Sequence, residues 1–157
     1  MWTPARGSTS PASREPRAQL TPPGEPTPRG QDRTVARRRA LELLHAADVG
    51  ETDPREALTA DDPYYARALV EGVMVHREEL DGVIRKSAEH WSLERMPVVD
   101  RNVLRLGIYE LIYTDVPAGV IVDQAVTLAK LLSTEDSGRF VNGLLGRVAR
   151  ELRPSGP

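Results

Sequence analysis

The stretch Glu135-Asp136-Ser137-Gly138-Arg139-Phe140-Val141-Asn142-Gly143 gathers side chains suited to holding a polyanion with unpaired bases. Phe140 is the only phenylalanine of the chain. An aromatic face stacks on an unpaired base, a contact worth about 1–3 kcal/mol. Arg139 offers a guanidinium that meets phosphate through paired, charge-assisted hydrogen bonds. Ser137 and Asn142 both donate and accept, which suits base edges and ribose hydroxyls. A second set, Arg33, Arg37, Arg38 and Arg39, crowds the start of a helical pattern. On a single strand each phosphate contact adds a salt dependence of slope about −0.7. The same residues also have plainer readings. Phe140 and Leu144 are spaced to pack in a core. Glu42 is spaced to pair with Arg38 or Arg39 on a solvated face. Asp136 is an acid in a helix first turn, where it complements the dipole.

Covalent chemistry has no comparable foothold. The chain contains no cysteine, which excludes disulfides, thiolate nucleophiles and cysteine-ligated metals. His45, His76 and His90 are scattered, and His45 with Asp48 reads as a surface hydrogen bond. No glycine-rich phosphate loop or nucleophile elbow occurs. Gly143-Leu-Leu-Gly146 reads as helix interior. There is no run of 18 apolar residues to span a membrane. Met1-Trp2-Thr3-Pro4 opens without the apolar region of a secretory leader. The expectation is a cytoplasmic protein that is not an enzyme and needs no cofactor or metal.

The elements that must position these groups are helical. The net charge of −2 conceals a split: residues 1–39 carry +5 and residues 40–157 carry −7. Seven of the 13 prolines fall within residues 1–31, where apolar side chains are sparse. Such a segment cannot bury enough surface to offset its ordering entropy. Residues 1–32 are therefore expected to be a disordered Pro/Arg-rich tail, residues 33–153 a helical domain, and residues 154–157 a second tail. A helix capped by Thr34 should carry Leu41, Leu44 and Val49 and end at Gly50. Tyr65, Leu69, Val70 and Val73 mark another, with a break at His76-Arg77. Leu80, Val83, Ile84 and Trp91 continue at helical spacing up to Met96-Pro97. Residues 98–113 are apolar nearly all round, as expected of a central helix. Within it Arg105 and Glu110 are expected to be paired inside the fold, and Tyr109 to join the core. Residues 118–132 and a helix capped by Thr134 complete an all-α chain of six or seven helices. Gly72, Gly107 and Gly143 lie inside helices at about 1 kcal/mol each relative to alanine, which points to close helix–helix approach.

Four blocks occur in order: Asp100-x-x-Val103-Leu104-Arg105-Leu106-x-x-Tyr109-Glu110-Leu111; Asp115-Val116-Pro117; Val122-Asp123-Gln124-Ala125-Val126-x-Leu128-Ala129-Lys130; and Asp136-Ser137-x-x-Phe140-Val141-Asn142-Gly143-Leu144-Leu145. With Ala36-Arg37-x-x-Ala40-Leu41-x-x-Leu44, they make residues 33–152 resemble the NusB family of transcription antitermination factors. The resemblance implies a double helical bundle of about seven helices. It implies binding of boxA RNA together with NusE, a small ribosomal protein, in support of ribosomal RNA transcription, with other Nus factors and RNA polymerase as indirect partners. On this pattern Arg33, Arg37, Arg38, Asp136, Ser137, Arg139, Phe140 and Asn142 face RNA, and His45, Asp100 and Arg101 face NusE. His45 stands where the family usually has an aromatic residue. Family members occur as monomers and as homodimers. Two other readings remain: a helical protein-interaction module without RNA binding, and the NusB-like domain of a ribosomal RNA cytosine methyltransferase. The second needs a cysteine nucleophile, which this sequence lacks.

Overall fold

A computed structural model describes residues 30–154, with side chains described from residue 33 onward. The tail expected over residues 1–32 lies outside the described residues up to residue 29, as do residues 155–157 of the second tail. Six α-helices follow one another: α1 (Gly30–Gly50), α2 (Tyr64–Val75), α3 (Arg77–Ser87), α4 (Val98–Tyr113), α5 (Ala118–Leu132) and α6 (Glu135–Leu152). Short 3-10 turns at Pro54–Ala57 and Leu93–Arg95 sit between α1 and α2 and between α3 and α4.

The helix starts follow from local chemistry. Pro63, Pro97 and Pro117 precede α2, α4 and α5, each with φ near −57°. Their fixed φ and missing N–H suit the entry to a helix. Their carbonyls accept the first helical bonds, from Arg67, Arg101 and Ile121. At α6 the hydroxyl of Thr134 accepts from the Ser137 N–H, the expected cap. At α1 the expectation fails. The helix begins at Gly30, so Thr34 lies in its second turn, and its hydroxyl reaches Gln124 of α5 at 3.1 Å.

Helix α4 is the axis. Every residue from Asn102 to Leu111 is buried, and the helix packs against α1, α2, α3, α5 and α6. Glycines permit the closest approaches. A Cβ at Gly72 would stand 2.2 Å from Tyr109, and one at Gly107 would stand 2.8 Å from Leu145. Gly143 differs from the expectation: a Cβ there would meet nothing within 4 Å. Tyr109 is buried, as expected. Among the described residues no helix is long and apolar enough to cross a membrane.

Candidate nucleic-acid interface

The arginines of α1 divide into two kinds. Arg37 is only 5% exposed. Its Nε donates to Glu110 Oε1 at 2.8 Å and its Nη2 donates to Oε2 at 2.9 Å. Tyr65 donates to the same Oε2 at 2.6 Å. Burial opposes the charge on Arg37, but the hydrogen bonds and charge of Glu110 outweigh it, and the Arg37 pKa rises. Burial, then Glu110, pushes the Tyr65 hydroxyl up as well, so it stays a donor. The expected phosphate contact of Arg37 is therefore corrected. Its guanidinium is committed to a carboxylate from α4, and the Ala-Arg position serves the fold. Arg33 lies over the Tyr65 ring, 5.0 Å from its centroid. Arg38 is exposed and pairs with Glu42 at 3.4 Å, the plain reading of its spacing. Arg39 pairs with Asp62 at 2.6 Å.

The other end of α1 meets the start of α4. Asp48 Oδ2 accepts from Arg101 Nε at 2.9 Å, from Asn102 Nδ2 at 3.1 Å and from Arg105 Nη1 at 3.2 Å. Arg105 also donates to Asp81 of α3 at 2.7 Å. Burial would raise the Asp48 pKa, but these donors outweigh it and hold the carboxyl at about 2. Arg105 and Glu110 thus have the internal partners expected of them. Arg101 is tied to Asp48, and His45, one turn before Asp48, is half-buried.

Asp100 corrects a second expectation. It is only 3% exposed, so it presents no acidic face to a basic partner. Its Oδ2 accepts from the Ser137 hydroxyl at 3.0 Å, while Oδ1 is buried with no hydrogen-bond partner. Burial raises its pKa, although Ser137 and Ser133 act against the rise. Ser137 is 5% exposed and bonded to Thr134 as well. It ties the starts of α4 and α6 together rather than meeting a base edge.

Beyond Ser137 the surface opens. Asp136, Arg139, Asn142 and Gly143 are exposed and Phe140 is half-buried. Arg139 pairs with Asp136, and both remain largely in solvent. Phe140 packs on the core with one part and lines an open groove of about 290 Å³ with the other. Its surroundings hold a residue read differently from the sequence. Trp91 was expected to extend an apolar helical stripe. Instead α3 ends at Ser87, and Trp91 stands 55% exposed with its ring centroid 6.2 Å from that of Phe140. Three ordinary residues, Ala88-Glu89-His90, carry the turn, with no glycine or proline to announce it.

The two sets of candidate residues do not form one cluster. Glu110, which holds Arg37, and Asp100, which holds Ser137, are ten residues apart on α4, about 15 Å at the helical rise.

Comparison with known proteins adds an independent line. The NusB family model matches residues 31–150. A transcription antitermination protein NusB from Acidothermus cellulolyticus is 52% identical over 124 residues, covering 74% of this chain and 86% of that protein. One from Heliobacterium modesticaldum is 45% identical over 131 residues, covering 77% of this chain, and the chain spans 64% of that relative's length. A crystal structure of antitermination factors NusB and NusE in complex with dsRNA contains a similar chain. Its TM-score is 0.68 at 32% identity, covering 78% of this chain and 99% of that one.

Proposed function

Because the chain belongs to the NusB family of transcription antitermination proteins, we propose that it binds boxA RNA together with NusE and supports ribosomal RNA transcription in the cytoplasm. Other Nus factors and RNA polymerase enter through that assembly. The observation that carries this reading is the exposed edge of α6, which presents Arg139, Phe140 and Asn142. It offers a stacking face, a cation and an amide without any arrangement for bond making or breaking. Arg38 supplies a cation toward the other end of α4, some 15 Å away along that helix. A strand that meets both must span at least that distance, four or five nucleotides stacked at about 3.4 Å each.

NusE docks, in this reading, where α1 ends and α4 begins, on His45 and Arg101. Asp100 contributes from beneath by fixing the start of α6 through Ser137. Each partner then lowers the other's cost of ordering the strand, so the pair binds RNA more tightly than either protein alone.

A helical protein-interaction module without RNA binding draws support from the burial of Arg37 and Ser137. Fluorescence anisotropy with a boxA-like RNA, with and without NusE at two salt concentrations, separates the two. Tighter binding with NusE that weakens in salt supports the proposal. A folded protein that binds neither single-stranded nor duplex RNA under any of these conditions leaves the interaction module.

A further inference from the structure

Trp91 is the largest exposed apolar side chain among the described residues, and nothing in the antitermination reading requires it. It lines two grooves at once. One runs along α6 past Arg139, Phe140, Gly143 and Arg147. The other, about 790 Å³ and open to solvent, runs past Arg85, His90, Ser92 and Arg95. The indole is therefore a wall common to both, and the surface around Phe140 continues across it.

The charge along this path is basic. Arg85, Arg95, Arg139 and Arg147 line the two grooves against one carboxylate, Glu89. Arg139 is shared with Asp136, and Arg85 lies 3.5 Å from Glu94. Arg147 donates to the Ser87 carbonyl at 2.6 Å, which caps the end of α3. Arg95 is exposed and forms no ion pair among the described residues. An exposed indole between guanidinium groups fits a strand with unpaired bases and phosphates.

The geometry adds a restriction. The Trp91 and Phe140 rings meet edge to face at 62°. Bases lying flat on each ring cannot stay parallel to each other, so the strand must turn between them. A duplex, whose bases are locked in a parallel stack, cannot do this.

We propose that Trp91 is a second stacking platform for single-stranded RNA, carrying the strand beyond Phe140 toward Arg95. This rests on the RNA-binding reading above and extends the site by one base. Trp91→Ala should weaken binding of a boxA-like RNA with extra nucleotides at both ends by about 5- to 100-fold. Trp91→Phe should retain most of the affinity. In a Trp2→Phe background the remaining tryptophan fluorescence reports on Trp91 alone, because the chain has two tryptophans. Single-stranded RNA should quench it, and duplex RNA of the same sequence should not.

The full-length protein serves throughout, and circular dichroism confirms that each variant keeps its helices. If the wild type binds the RNA while Trp91→Ala binds equally well and the fluorescence does not move, the platform is refuted and the RNA reading stands. Fluorescence that responds to NusE alone and not to RNA likewise refutes the platform, since it places a protein on Trp91. If the wild type binds no RNA with or without NusE, the parent reading fails too.

Discussion

Arg37 and Arg139 are the same residue type placed toward opposite ends of α4, in opposite environments. Arg37 is sealed against Glu110 and Tyr65, with every strong contact made inside the fold. Arg139 stands in solvent beside Asp136, where an ion pair contributes at most about 1 kcal/mol and yields readily to a phosphate. The same side chain is thus a structural group at one position and a surface group at the other, and burial decides which is which. A buried guanidinium that loses its carboxylate costs several kcal/mol, so evolution of the surface cannot borrow it for RNA.

The sharpest way to break this comparison is Glu110→Ala. It strands Arg37 in the core and should cost about 3–5 kcal/mol, read as a shift in the denaturant midpoint. A loss below 1 kcal/mol would mean that Arg37 reaches solvent, and it would return to the RNA candidates. Next come the glycines. Gly72→Ala drives a Cβ into Tyr109 and should cost about 1–3 kcal/mol. Gly143→Ala points into open space and should gain up to about 1 kcal/mol from helix propensity. Equal effects at the two positions would erase the distinction between core and groove faces.

A smaller effect follows from Asp48. Its carboxyl falls from the ordinary 3.8 to about 2 in the fold. The native state therefore binds this proton less readily than the unfolded chain. The stabilisation is complete above about pH 4 and is lost as pH falls toward 2. Asp48→Asn should flatten that limb of the stability curve. Asp100 works in the other direction. Its raised pKa means that protonation favours the native state, so its penalty shrinks as pH falls.

Much of the fold could be read from local signals. The prolines before α2, α4 and α5, the Thr134 cap of α6 and the break at His76 all act within one or two turns. The start of α1 was misread because Thr34 looked like a cap while its hydroxyl serves Gln124, 90 residues away. The same distance problem limits the site. Arg38 with Glu42 is an i,i+4 pair and could be seen in the sequence. Arg37 with Glu110 spans 73 residues and could not. Asp100 looked like a surface acid because its partner Ser137 is 37 residues further on. Trp91 was hidden for a different reason: its spacing matched a helix that ends four residues earlier without a breaker. The family resemblance identified the motif containing Phe140, but only the folded chain shows which of its side chains remain free to meet a ligand.

The most direct test of the account is the affinity of the Arg139→Ala/Phe140→Ala double variant for boxA-like single-stranded RNA in the presence of NusE, with helical content followed in parallel. The account predicts an unchanged helical spectrum, at least a tenfold loss of affinity, and a salt slope shallower by about 0.7 for the lost phosphate contact. Undiminished affinity and slope in a folded variant would contradict it and move the RNA away from the α6 edge.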